Sequence, residues 1–112
     1  MILTKSVFFT KDEIKQLQEE LVEYIKTVID VEKKICSAGC NRHFQSEQIL
    51  LEQGSEQKNL WGGGIDLESK TIDFNSFINI RPNVNESNEI QDPILRKKYE
   101  ELSKYFFKAF YE

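Results

Sequence analysis

Between Thr71 and Arg81 the chain alternates apolar and polar side chains, with Ile72, Phe74, Ser76, Ile78 and Ile80 on one parity and Asp73, Asn75, Phe77, Asn79 and Arg81 on the other. A period of two predicts a β-strand with one buried and one polar face, ended by Pro82, which lacks the N–H that a ladder needs. The rest of the chain is then expected to cover Ile72, Phe74, Ile78 and Ile80. A helical period begins at Lys11, where Ile14, Leu17, Leu21 and then Tyr24 or Ile25 form a stripe behind a Thr10/Glu13 capping box. From Thr27 the chain turns β-branched, and Ile29, Val31 and Ile35 share a parity. The wording Ile29-Asp30-Val31-Glu32-Lys33-Lys34 returns as Ile65-Asp66-Leu67-Glu68-Ser69-Lys70. Each stretch is expected to be a hairpin whose turn is the Glu-x-Lys triplet.

A second helix is predicted from Asn41 or His43 to Gln53, closed by Gly54. A third starts at Asp92-Pro93, aspartate as cap and proline in the first turn, with a stripe of Leu95, Tyr99, Leu102, Phe106, Ala109 and Phe110. Tyr105, Phe107 and Tyr111 flank that stripe, more aromatic surface than one sheet face needs, and the excess points to a dimer contact or a fraying aromatic tail. Ile2–Phe9 reads as an edge strand or extended lead-in, Gly62-Gly63-Gly64 as a flexible link or bulge, and Asn83–Gln91 as a polar loop. The expectation is one α+β domain over residues 1–112. Its order is α-β-β-α-β-β-α, with three helices and a four-stranded antiparallel sheet made of two hairpins.

Composition narrows the function more than it names it. The 112 residues are 39% hydrophobic and 12% aromatic, enough for one core. A net charge of -4 and a pI near 5.1, with no basic block, disfavour nucleic acid. No apolar run has the length of a membrane span or of a signal-peptide core, so the protein is expected to be cytoplasmic. Cys36 and Cys40 are read as reduced thiols.

Candidate chemistry is densest between Cys36 and Glu47. Cys36, Cys40, His43 and Glu47 are a chemically legitimate zinc set, but C-x3-C-x2-H-x3-E matches no common zinc spacing, and the structural reading is preferred. On a helix His43 and Glu47 share a side beside the apolar stripe. They are read either as an i,i+4 pair in which the glutamate orients the chain's only histidine, or as a dyad or ligand pair lining a cleft. Asn79 and Arg81, on the polar face of the 71–81 strand, suit a carboxylate or phosphate, or else form a solvated sheet face. If the His43 helix covers that face, His43, Glu47, Asn79 and Arg81 surround one pocket. The glycines after Trp61 precede a strand, so they are not a phosphate loop, and no motif implies a cofactor. No G-x-S-x-G, H-E-x-x-H or Ser/His/Asp arrangement is present.

The blocks Leu50-Leu51-Glu52-Gln53-Gly54-Ser55, Leu60-Trp61-Gly62 and Ile78-Asn79-Ile80-Arg81-Pro82 give the chain, over almost its whole length, a resemblance to a family of short prokaryotic proteins catalogued as a domain of unknown function. The family pattern carries glycine near Cys40 and an acidic residue near Gln45, and these departures weaken the cysteine metal reading. The resemblance implies a single small domain without an assigned activity, and marks the His43, Glu47, Asn79 and Arg81 blocks as typical. Two functions follow as expectations. One is a binding or interaction module, a homodimer or one half of a two-protein pair such as a toxin–antitoxin system. The other is a small enzyme or anion-binding protein using His43, Glu47 and Arg81.

Overall fold

Two aspartate-capped turns set the frame in the computed structural model, which describes residues 1–112. Strand β2 (Tyr24–Asp30) ends where Asp30 Oδ1 accepts the Glu32 and Lys33 N–H groups at 3.0 and 2.8 Å. Lys34 then takes a φ of 58° and returns its N–H to the Asp30 carbonyl at 2.8 Å. Strand β4 (Leu60–Asp66) ends in the same way, with Asp66 Oδ1 accepting from Glu68 and Ser69 at 3.0 and 2.9 Å, and Lys70 at a φ of 60°. The repeated wording is thus one turn used twice. It joins β2 to β3 (Ile35–Cys40) and β4 to β5 (Ile72–Asp73), as the sequence predicts.

The sheet has five strands rather than four, in the order β1-β3-β2-β4-β5, with every neighbour antiparallel. The additional strand is β1 (Leu3–Lys5), too short to show a period, which pairs Leu3 with Ala38. There are four helices rather than three. They are α1 (Lys11–Glu20), α2 (His43–Glu52), α3 (Pro93–Phe106) and the single turn α4 (Lys108–Tyr111) beyond a break at Phe107. The caps are where local chemistry places them: Glu13 N–H on Thr10 Oγ1 at 3.1 Å, Thr10 N–H on Glu13 Oε1 at 2.8 Å, and Ile94 N–H on Asp92 Oδ1 at 2.8 Å. No helix is long and apolar enough to cross a membrane.

The predicted organising strand is the principal correction. After Ile72–Asp73 the chain leaves the ladder, forms a 3-10 turn at Phe77–Asn79, and touches strand geometry again only in isolated bridges at Asn75 and Arg81. Burial follows the alternation from Phe74 to Ile78 and reverses beyond it: Ile80 is 49% exposed, while Asn79 is 0% and Arg81 9% exposed. The cause is the Asn79 carboxamide, described below, which occupies the edge of β4 that a continued strand would have paired.

Both sheet faces carry helices. Ile25, Ile29, Cys36, Ala38, Trp61 and Ile65 pack with Ile14 and Leu17 of α1 and with Tyr99 and Phe106 of α3. On the opposite face Val28 and Leu60 lie against Leu50 of α2. Part of the aromatic excess of the last helices is consumed internally. Phe106 and Phe107 are buried on Phe9, with ring centroids 6.1 and 5.0 Å away, and Phe9 N–H donates to the Phe106 carbonyl at 2.9 Å. Tyr105 meets Phe8 edge-on, and Tyr111 Oη donates to the Lys70 carbonyl at 3.0 Å. Of the surplus that pointed to a dimer contact, Phe107 is core packing, while Tyr105 and Tyr111 stay 40 and 39% exposed.

Candidate functional site

Space for the site is made by the three glycines of β4, which are neither link nor bulge but the middle of a strand paired with β2. A Cβ at Gly62 would lie 2.7 Å from Ser76 Cβ and 3.1 Å from His43 Cδ2. One at Gly64 would collide with the Tyr24 phenol, and one at Gly63 would lie 2.8 Å from Tyr99 Oη. Each glycine is the room taken by another residue's side chain, which is why a residue type normally poor in strands occurs here in a row.

Into the hollow over Gly62 comes His43, the first residue of α2. Its Nε2 donates to the Gly63 carbonyl at 2.7 Å, since a carbonyl oxygen can only accept, and this fixes the neutral tautomer. Nδ1 keeps its lone pair, has no protein partner and is not sealed from solvent. Burial holds the imidazole below its ordinary pKa of 6.5, and the Lys26 ammonium pushes the same way; the Gly63 carbonyl and Asp73 oppose them. The helix start is tied down by Gln45, whose Oε1 accepts the Asn41 and Arg42 N–H groups at 3.0 Å each.

Around His43 opens a cleft of about 260 Å³ whose walls include Lys26, Arg42, Phe44, Ser76 and Phe77. A second lobe of about 220 Å³ shares Lys26, His43, Ser76 and Phe77 and extends to Asn75 and Asn88. Phe44 is 57% and Phe77 84% exposed.

Of the four residues expected to surround one pocket, only His43 lines this cleft. Asn79 is spent on backbone: its Oδ1 accepts Gly62 N–H at 2.8 Å, and its Nδ2 donates to the carbonyls of Gly62, Phe74 and Asn88 at 2.9, 3.1 and 3.1 Å. Arg81 donates to the carbonyls of Ile78, Lys58 and Leu60 and stacks 4.0 Å above the Trp61 ring. Burial lowers the pKa of the Arg81 guanidinium, and the charge of nearby Glu47 offsets part of that shift without a close ion pair. No hydrogen bond joins His43 to Glu47; the imidazole is held by Gly63 instead.

The cysteines are separated by a bulge. Ala38 pairs with Thr27 and Cys40 with Lys26, so Gly39 is the extra residue, at a φ of 100° where a Cβ would strike the Met1 carbonyl. The inserted residue shifts the parity. Cys36 faces the α1/α3 core and Cys40 faces α2, both free and buried, with burial pushing both thiols up. No three His, Cys, Asp or Glu side chains are grouped to hold a metal ion.

Sequence reasoning missed Lys26, Arg42, Phe44, Ser76 and Phe77. The signals available were a lysine interrupting the apolar run Ile25–Val31 and a phenylalanine on the outer side of α2.

The fold and its cleft define a five-stranded antiparallel α+β domain with helices on both faces and an open hollow at the start of α2. The family model described as Protein of unknown function (DUF5674) matches residues 1–106, and the chain belongs to that family. No curated protein and no solved structure matches the chain.

Proposed function

We propose that the protein is a small binding module whose cleft at the start of α2 holds a compact anionic ligand. The observation that carries this reading is a pair of cations at the cleft that form no ion pair within the protein. The structure contains six ion pairs, and neither Lys26 nor Arg42 takes part in any of them. Lys26 is half-buried, its ammonium 5.6 Å from the Tyr24 ring. A cation in that position that forms no ion pair gains from an anion that enters the hollow. His43 adds an adaptable group: its Nδ1 accepts a hydrogen bond when neutral and donates one when protonated. An overall charge of -4 favours a small anion over a polyanion.

The test is a titration with inorganic phosphate followed by ¹H–¹⁵N spectra. The amides of Lys26, Arg42, His43 and Phe44 are expected to shift together, and the response to be lost in a Lys26→Ala/Arg42→Ala variant. Shifts scattered over the surface, or unchanged in that variant, would refute the site. A second reading, docking of another protein or a second copy, is favoured by one segment, in which Phe77, Ile80 and Val84 are 84, 49 and 73% exposed. Light scattering decides it: a stable oligomer that Phe77→Ser dissociates would replace the ligand reading.

A further inference from the structure

Resting on the anion reading, we infer that the ligand is a single nucleotide, its phosphate in one lobe of the cleft and its base in the other. The lobes differ in chemistry. The lobe that reaches Arg42 carries the charge, with Arg42 in its wall and Lys26 and His43 in the stretch common to both. The other lobe ends on two exposed carboxamides, those of Asn75 and Asn88. Asn75 contributes only its backbone N–H and Asn88 only its carbonyl to hydrogen bonds within the protein, so both side-chain amides are free. That contrasts with Asn79 and Asn85 a few residues away, whose amides are fully committed to backbone.

A free carboxamide presents a donor beside an acceptor, the pattern that matches the edge of a nucleobase. Between the lobes stands Phe77, lining both, 84% exposed and with no aromatic neighbour inside the protein. Its ring is a platform on which a flat heterocycle stacks. An occupant that uses both lobes therefore has an anion at one end and a planar, hydrogen-bonding ring at the other. Neither lobe exceeds about 260 Å³, and a chain with 19 acidic against 15 basic side chains repels a longer phosphate backbone.

Calorimetry on the full chain separates the layers of this proposal. The probes are inorganic phosphate, ribose 5-phosphate, adenosine and uridine monophosphates, and a short single-stranded oligonucleotide. A nucleoside monophosphate is expected to bind about tenfold more tightly than ribose 5-phosphate, the increment of one stacked base. Phe77→Ala, a surface change that leaves the core intact, is expected to bring the affinities for the mononucleotides and for ribose 5-phosphate to the same value, whatever it does to the anion lobe that Phe77 also lines. If ribose 5-phosphate and the mononucleotides bind alike, the base lobe is refuted while the anion site stands. If phosphate itself fails to bind, both readings fall. An oligonucleotide that binds more tightly than the mononucleotide overturns the assignment to a single unit.

Discussion

The two hairpins begin with the same turn and end differently. Asp30 and Asp66 cap their turns with the same pair of backbone N–H groups, and Lys34 and Lys70 adopt the same left-handed conformation. After the first turn β3 continues for six residues; after the second, β5 lasts for two. Turn chemistry thus starts a hairpin, and the fate of the return strand is decided by what its neighbour still offers. The outer edge of β4 at Gly62 is taken by a side chain, because Asn79 accepts from and donates to the same residue, as a paired strand residue would. The chain freed from the ladder folds back over α2 and supplies Ser76 and Phe77 to the cleft.

The contrast is broken most severely at Asn79. Asn79→Leu removes the partners of Gly62 N–H and of three carbonyls in a fully buried position, a loss on the order of 4 kcal/mol that urea unfolding would read. A loss below about 1 kcal/mol would mean the edge is held by something else. The turns come next. Asp30 is fully buried and also accepts from Ser55 Oγ at 2.7 Å, so Asp30→Ala is expected to cost about 2 kcal/mol. Asp66→Ala costs less, because its turn amides reach water. The Ser69 and Glu68 N–H groups hold the Asp66 carboxyl below its ordinary 3.8, the Ser69 contribution being larger. Its contribution to stability is therefore present above pH 3.8 and is lost as pH falls through the lower folded value, and an acid titration of wild type against Asp66→Asn shows the difference. The smallest effects test the sameness of the turns. Lys34→Gly relieves a strained φ and is expected to stabilise by about 0.5 kcal/mol. Lys70→Gly gains less, since the Lys70 ammonium lies 5.0 Å from the Phe110 ring.

What was legible in the sequence follows the range of the interactions involved. Thr10 with Glu13, Asp92 with Pro93, and the two Asp-x-Glu-x-Lys turns act within five residues; their places can be read directly, and for the two helix caps the partners too, whereas the aspartates that cap the turns emerge only from the structure. The strand expected from Thr71 to Arg81 fails because alternation reports only that a segment suits a ladder. Whether the ladder forms is settled by Gly62, 17 residues from Asn79. The same distance effect separates the four residues expected to share a pocket. Asn79 and Arg81 look like a polar face free for work, yet they are buried struts, whereas His43 stands out as the lone imidazole at a helix start. Lys26 was hidden because the helix was read through Tyr24 and Ile25, although α1 stops at Glu20 and β2 already runs from Tyr24.

The most direct test of the cleft is the ¹⁵N titration of the His43 ring with and without sulfate, an anion whose charge does not change near neutral pH. Alone, Nε2 should carry the proton and the imidazole should titrate below 6.5. Because the neutral form is favoured in the fold, stability should fall as pH drops below 6.5 toward that value. With sulfate in the cleft beside Lys26 and Arg42, the imidazolium gains a counter-charge and the pKa should rise. A His43 that titrates at the same pH with and without sulfate would contradict the account.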